Sequence, residues 1–311
     1  MKKNFFLGID VGGTKCEGAI AELHFDNRSI NVLSKKRIST IHNVSDFIDS
    51  LAGLVIDLLI EASIKIDDLK AIGLALPGSL HPKTSIMLNG NTLFLIDVDV
   101  ITLLRNKIGS GINIVAQNDA NLFTLAEVWG GAGKHFELSK KIPFKEQVAI
   151  GITIGTGVGG GFVSEGKILS GSVGSALEVG HIVLHQAGNK CYCAQQGCAE
   201  TYLSGTAINK KMNSIELFEK ANKGNPEVLQ FMINYRIDLV QFLSVLNNLF
   251  NPHYFVFGGG LSSQSVLFED LKTDLEENIF LSKKFCPEIY INHLGDSAGL
   301  FGAMIYAAEV L

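Results

Sequence analysis

Apolar residues recur along the first third of the chain in two periods, one typical of strands and one typical of helices. Apolar runs at residues 5–10 and 16–23 flank Val-Gly-Gly-Thr-Lys, which predicts a hairpin with a glycine-rich turn. Apolar residues at helical spacing predict a helix over residues 44–64. Further strands are predicted at 30–38, 71–76 and 112–116, and a further helix at 99–108. This part of the chain is therefore expected to fold as mixed α/β structure.

The same order of strands, glycine-rich turns and helix caps recurs in the second half of the chain. Asn118 to Asn121 are suited to cap a helix that continues to about Trp129, and a basic loop then leads to a strand at 147–154. The strand, glycine turn and strand at 151–164 resemble the opening hairpin. A long apolar helix then precedes a strand at 254–257. The repeat predicts two lobes built on one plan, with internal duplication.

The length and composition of the chain fit this two-lobe prediction. A chain of 311 residues with 47% hydrophobic and 18% charged residues can bury a substantial core. The net charge of −5 gives no indication of a nucleic-acid partner, and the short basic run at 34–37 is predicted to be solvated. No apolar run approaches the roughly 20 residues that span a bilayer. We therefore expect a cytoplasmic protein without a membrane partner.

Two glycine-rich turns carry groups that suit phosphate oxygens. The first combines Asp10, Gly12, Gly13, Thr14 and Lys15, so it offers backbone N–H groups, a hydroxyl and an ammonium. The second offers similar donors from Gly155, Thr156 and Gly157. Either turn alone could be a plain hairpin connection, and neither matches the Walker pattern. Together they indicate a clamp that holds a triphosphate from both sides.

A cluster of cysteines indicates a metal site. Three of the five cysteines lie between residues 191 and 198, and the odd count argues against a disulfide framework. One histidine and three thiolates complete a tetrahedral structural zinc site. His181 and His185 both stand at usable distances along the chain, so spacing alone leaves the fourth ligand open between them.

These motifs, in this order, resemble the ROK family of bacterial sugar kinases and repressors. The resemblance covers nearly the whole chain and rests on the two glycine turns, the cysteine cluster, Leu76-Pro77-Gly78, Asn118-Asp119-Ala120-Asn121, Glu178-Val179-Gly180-His181 and Gly258-Gly259-Gly260. It implies the two-lobe, actin-like, ribonuclease-H-like fold, with ATP between the lobes and a sugar beside its γ-phosphate. Residues 1–118, completed by a C-terminal helix at 297–311, would form the small lobe and 119–296 the large lobe. The family often dimerises, which implies a homodimer.

The resemblance also implies roles for individual residues. Asp119 would be the catalytic base, Asp10 would lie nearest to Mg²⁺, and Gly259 would lie near adenosine. The family pattern H-x9-C-x-C-G-x2-G-C selects His181 over His185 as the partner of Cys191, Cys193 and Cys198 in binding zinc, with Ala194 in place of a glycine. The sugar ligands would be Gly78, Asn91, Asn118, Asp119, Glu178, His181 and Glu200.

The implied activity is ATP-dependent transfer of a phosphoryl group to the 6-hydroxyl of a hexose. Residues 120–129 and 202–205 resemble N-acetylglucosamine kinases, whereas residues 191–193 and 295–297 look equally like fructokinases or mannokinases. N-acetyl-D-glucosamine is the preferred substrate, with fructose, mannose and glucose as alternatives. A sugar-sensing repressor is the alternative of another class, which the start of this sequence at the phosphate hairpin and its acidic charge disfavour.

Overall fold

Two five-stranded sheets organise the chain in the computed structural model, which describes residues 4–90, 92–109 and 111–311. The ten strands within these residues are β1 Phe5–Val11, β2 Lys15–His24, β3 Ser29–Ser39, β4 Leu69–Leu76, β5 Ile114–Asn118, β6 Val148–Ile154, β7 Val158–Ser164, β8 Lys167–Ile168, β9 Tyr254–Gly258 and β10 Glu288–Ile291. The ten α-helices of the same residues are α1 Val44–Ala62, α2 Val100–Ile108, α3 Asp119–Gly130, α4 Ala132–Lys140, α5 Glu200–Leu203, α6 Gly205–Asn209, α7 Ser214–Asn222, α8 Pro226–Phe250, α9 Leu271–Glu276 and α10 Ala298–Glu309.

The two sheets share one topology. The first has the strand order β3-β2-β1-β4-β5, and the second has the equivalent order β8-β7-β6-β9-β10. In each sheet the first three strands along the chain are antiparallel neighbours, and the last two run parallel to the first. The α/β class and the internal duplication predicted from the sequence are confirmed.

Helices cover both sheets and hold the strand ends in place. Leu51, Leu54 and Leu58 of α1 are fully or almost fully buried in the core on one face of the first sheet. The opposite face is covered by α10, whose Leu300 and Met304 are buried in one cluster with strand and α3 residues. Helix α8 covers one face of the second sheet, as α1 does on the first sheet. The assignment of 1–118 and 297–311 to one lobe and 119–296 to the other stays a prediction.

The structure corrects two details of the sequence interpretation. The segment predicted as a basic loop after Trp129 contains helix α4, because Phe136 is buried there and its ring lies 4.9 Å from that of Tyr254. The basic run at 34–37 is not merely solvated, since Lys35 and Arg37 both form ion pairs with the buried Glu17. Within the described residues, no helix has both the length and the apolar character needed to cross a membrane.

Candidate active site

The first glycine turn lies between β1 and β2 and opens towards solvent. The Gly12 N–H donates to the Lys15 carbonyl at 2.9 Å, and the Thr40 hydroxyl donates to the Gly12 carbonyl at 2.7 Å. Gly13, Thr14 and Lys15 are exposed. Thr40 thus fixes the backbone of the turn, while the Thr14 hydroxyl and the Lys15 ammonium stay accessible to a ligand.

The second glycine turn lies between β6 and β7 and packs against the residues that follow β9. The Gly155 N–H donates to the Gly157 carbonyl at 3.0 Å, and Thr156 is exposed. Gly259 has a φ of 84°, and a Cβ at this position would lie 2.5 Å from the Ile154 carbonyl oxygen. Only glycine fits both the left-handed backbone and this close approach. The structure therefore brings Gly259 beside the second turn.

Asp119 is the first residue of α3, directly after β5. Asn118 caps this helix, because its Oδ1 accepts from the Asn121 N–H at 3.1 Å. The Asp119 carboxylate accepts from the Ala120 N–H at 2.7 Å. Burial, together with the charge of the nearby Glu178 carboxylate, raises the pKa of Asp119 to about 6, against the lowering effect of that hydrogen bond. At neutral pH the group is ionised and can accept a proton.

Asp10 brings a second carboxylate to the same place. Burial first, and then the charges of Asp119 and Glu17, raise the pKa of Asp10 to about 7, while the charge of Lys15 opposes this rise. Glu17 lies opposite Asp10 on β2 and accepts a hydrogen bond from Ser297 at 2.9 Å. The sequence interpretation missed Glu17, although a glutamate within the apolar run at 16–23 was a usable signal. A cation bound beside Asp10 would relieve this concentration of negative charge.

Gly78 lies beside Asn118 at the end of β4. The Asn118 Nδ2 donates to the Gly78 carbonyl at 3.3 Å. A Cβ on Gly78 would lie 2.0 Å from the Asn89 carbonyl oxygen, so a side chain has no space here. The predicted ligand Asn91 lies outside the described residues. The structure thus brings Gly78 and Asn118 together at one edge of the first sheet.

Glu178 joins the loops of the two sheets. Its Oε1 accepts from the Ser79 hydroxyl at 2.8 Å and from the Asn89 Nδ2 at 3.3 Å. The sequence interpretation missed both partners, although Ser79 directly follows the Pro77-Gly78 motif. These contacts place Glu178 across from the residues that follow β4 and near Asp119.

Glu200 connects the second glycine turn to the cysteine cluster. It begins α5, two residues after Cys198, and its Oε2 accepts from the Val158 N–H at 2.9 Å. One oxygen of this predicted sugar ligand is therefore used to hold the start of β7. Movement of the cluster would change the position of the turn through this bond.

The four predicted metal ligands lie together. The ligand atoms of His181, Cys191, Cys193 and Cys198 are all within 4.8 Å of one another. The Sγ atoms of Cys193 and Cys198 are 3.7 Å apart, and the Cys191 Sγ is 3.6 Å from the His181 Nδ1. A tetrahedral zinc with bonds of about 2.3 Å to sulfur and about 2.0–2.1 Å to nitrogen places its ligands roughly 3.5–3.8 Å apart. The donor set therefore fits zinc in both chemistry and spacing.

The rival histidine lies outside this cluster. The His185 Nε2 is 2.7 Å from the Asp238 Oδ1 on α8. That contact attaches the start of the cysteine segment to the long helix. The geometry thus agrees with the family pattern in selecting His181.

Ala194 takes the position where the family pattern has glycine, and its φ is 71°. For a residue with a Cβ, this left-handed conformation costs about 1–2 kcal/mol relative to the right-handed one. We expect Ala194→Gly to raise the free energy of unfolding by about 0.5–1 kcal/mol, measured by denaturant titration. Ala207→Gly within α6 is the control and should lower it by about 1 kcal/mol. A loss of stability in Ala194→Gly would contradict this account of the turn.

Tyr192 is a further residue of the site that the sequence interpretation did not assign. Its hydroxyl is 3.1 Å from the His181 Nε2, on the side of the ring away from the cysteines. Partial burial of this hydroxyl, followed by the charges of Glu200 and Glu178, raises the pKa of Tyr192 to about 12. An aromatic residue between two clustered cysteines was the available signal. The hydroxyl stays protonated at neutral pH, among three of the predicted sugar ligands.

Comparisons with known proteins extend over nearly the whole chain. The sequence model of the ROK family matches residues 6–310. The N-acetyl-D-glucosamine kinase of Haemophilus influenzae is 29% identical, covering 96% of this chain and 97% of its own. The kinase of the same name from Vibrio atlanticus is 30% identical, covering 96% and 98%. The crystal structure of the ROK hexokinase from Thermus thermophilus superposes with a TM-score of 0.79 at 26% identity, over 98% of both chains.

Proposed function

Because the chain belongs to the ROK family, we propose that it is an ATP-dependent hexose kinase that phosphorylates the 6-hydroxyl of N-acetyl-D-glucosamine. One observation carries the proposal: the partly buried carboxylate of Asp119, whose pKa is raised to about 6, lies close enough to Asp10 of the first glycine turn and to Glu178 to interact with both charges. A proton acceptor whose pKa is close to neutral pH therefore lies between a phosphate-binding turn and polar residues suited to a sugar. The names of the two curated relatives supply the identity of the sugar.

The reaction needs one proton acceptor and a well-held triphosphate. Asp119 accepts the proton of the 6-hydroxyl, whose oxygen forms a bond to the γ-phosphorus while the bond to the β,γ-bridging oxygen breaks and ADP leaves. Gly13, Thr14 and Lys15 on one side, and Thr156 and Gly157 on the other, donate to the phosphate oxygens. Gly12 and Gly155 use their N–H groups to close the two turns, and they let the phosphates approach the backbone. Gly259 lies towards adenosine. Mg²⁺, which neutralises phosphate charge when bound, belongs beside Asp10.

The remaining polar residues hold the sugar ring. Gly78, Asn118, Glu178, His181 and Glu200 surround it, and Asn91 belongs to the same set. Since Glu178 also bonds to Ser79 and Asn89, its orientation depends on the first-lobe loop. A sugar that binds both loops would hold the lobes together and exclude water from the transfer.

We assign zinc to His181, Cys191, Cys193 and Cys198, on the fit of the donor spacing to a tetrahedral ion. Bound zinc would act as a structural ion that closes the segment between Glu178 and Glu200. The segment carries Glu178 at one end and Glu200 at the other. Its closure therefore sets the distance between two sugar ligands.

An ATP-coupled assay across N-acetyl-D-glucosamine, N-acetyl-D-mannosamine, glucose, mannose and fructose tests this function. We expect kcat/KM to be highest for N-acetyl-D-glucosamine, by about tenfold or more over each hexose without an acetamido group. 6-Deoxy-N-acetyl-D-glucosamine is the matched control and should bind without turnover. A higher kcat/KM for glucose or fructose would contradict the assigned sugar. No turnover with any of the five would contradict the kinase.

A further inference from the structure

The His181 ring stands between the cysteine cluster and the proposed sugar site. Its Nδ1 is 3.6 Å from the Cys191 Sγ, and its Nε2 is 3.1 Å from the Tyr192 hydroxyl. A ring nitrogen that binds a metal carries no proton, so the proton of the neutral imidazole lies on the other nitrogen. The Nε2–H then donates to the Tyr192 oxygen. Metal binding by His181 thereby fixes the direction of this hydrogen bond.

The direction of that bond determines what Tyr192 can offer a ligand. Its oxygen accepts from His181, so its own O–H remains as a donor. The neighbouring carboxylates of Glu178 and Glu200 only accept when ionised, and the His181 N–H is already used. Tyr192 is 71% exposed, so its ring contributes little to a core, and it lies edge-on to the His181 ring with 5.2 Å between the ring centroids.

The chemistry of the sugar is complementary to this arrangement. Ring hydroxyls can donate to Glu178 and Glu200, whereas the carbonyl oxygen of an acetamido group can only accept. Carbon 2 lies across the pyranose ring from carbon 5, which carries the 6-hydroxymethyl group. With the 6-hydroxyl at Asp119, the acetamido group points away from Asp119, so its carbonyl requires a donor among the other residues proposed to surround the sugar.

We propose that Tyr192 is a specificity-determining residue whose O–H donates to the acetamido carbonyl of the sugar, held in direction by the His181 N–H. This inference rests on the proposed function and deepens it. It changes the role of His181, whose second nitrogen acts on the sugar through the tyrosine hydroxyl. It also gives the metal an effect on sugar selection as well as on folding.

Tyr192→Phe tests the proposal by removing one hydroxyl from an exposed side chain. Calorimetric titration without ATP should show the Kd for N-acetyl-D-glucosamine rising about fivefold to tenfold. The Kd for glucose should change less than about twofold, because glucose lacks the carbonyl. The KM for N-acetyl-D-glucosamine should rise with its Kd, while kcat, the KM for ATP and the bound zinc stay close to wild type.

Tyr202→Phe is the matched control. Its hydroxyl accepts from the Asn189 backbone N–H at 2.9 Å, so the variant removes the same atom from another tyrosine of the same segment, one that bonds to Asn189 and not to His181. The ratio of the Kd values for the two sugars should stay unchanged in this variant.

Three outcomes overturn the inference. An equal loss of affinity for both sugars in Tyr192→Phe would assign the hydroxyl a general structural role. A gain in affinity for N-acetyl-D-glucosamine would mean that the hydroxyl blocks His181 from the sugar. Wild-type protein that binds neither sugar would overturn the proposed function together with the inference, whereas the first two outcomes leave that function standing.

Discussion

Replacement of Asp119 by asparagine is expected to lower kcat by about 10²–10⁴-fold, which is the usual contribution of a general base. Asparagine retains the hydrogen-bonding oxygen that a residue at the start of α3 uses, so the helix should form as before. What it lacks is the ability to accept the proton of the 6-hydroxyl. Steady-state kinetics with N-acetyl-D-glucosamine and ATP measure the change. In the wild type, kcat/KM should fall as the pH decreases through about 6, where Asp119 becomes protonated.

The stability of the same variant separates catalysis from helix capping. The pKa of Asp119 is raised from 3.8 to about 6 in the folded protein, so the folded state disfavours the ionised form. This cost is complete above about pH 6 and disappears as the pH falls through 3.8. Asp119→Asn should therefore be more stable than the wild type at pH 8, by on the order of 2 kcal/mol, with little difference at pH 4.

Asp99→Asn is the control for this experiment. Asp99 caps α2 by accepting from the Thr102 N–H at 3.0 Å, and asparagine is an equally good cap. Its kcat should stay within about twofold of wild type, since helix capping is preserved. Near-normal turnover in Asp119→Asn would reject Asp119 as the base and leave it a capping residue.

Loss of the proposed zinc is expected to have the second large effect. Cys198 is fully buried in the cluster, and Cys198→Ala removes one of the four ligands. Because the binding free energy of a structural zinc is also folding free energy, its loss should cost several kcal/mol and lower the melting temperature by about 10 °C. The Kd for the sugar should rise more than about tenfold, because Glu178, Tyr192 and Glu200 lose their fixed spacing.

Elemental analysis, thermal unfolding and sugar titration measure these three consequences in one preparation. Cys286→Ala is the matched control. Cys286 is partly buried against the hydrophobic core of the second sheet, and it is not one of the four proposed ligands. It should retain one zinc per chain and wild-type sugar affinity. Wild-type protein that contains no zinc when purified without chelators would contradict the metal assignment.

Features that depend on local sequence could be predicted. The strands around both glycine turns follow from short apolar runs, and α3 follows from the cap at Asn118. The ROK resemblance and the two-lobe, actin-like fold are confirmed by the family match and by the similarity to the Thermus thermophilus hexokinase. Helix α4 was missed because the glycines at 130, 131 and 133 weaken its helical pattern, and burial of Phe136 outweighs them.

Partnerships between distant residues could not be predicted from the sequence. Glu178 bonds to Ser79 and Asn89, which lie 99 and 89 residues away along the chain. The pairing of Glu17 with Arg37 depends on the register between β2 and β3, which sets them directly opposite each other. The contact between Tyr192 and His181 depends on how the cysteine segment closes. Such contacts arise from tertiary packing, so the pattern of residues along the chain does not predict which side chains meet or at what distance.

The most direct test of the central claim is identification of the product by two-dimensional ¹H–³¹P NMR. The wild-type protein is incubated with ATP, Mg²⁺ and N-acetyl-D-glucosamine, and Asp119→Asn is treated in parallel. We expect the wild type to give ADP and a phosphate ester coupled to the two protons on carbon 6, with a much smaller amount from the variant in the same time. A phosphate coupled to the proton on carbon 1, or ADP formed without any sugar phosphate, would contradict the account.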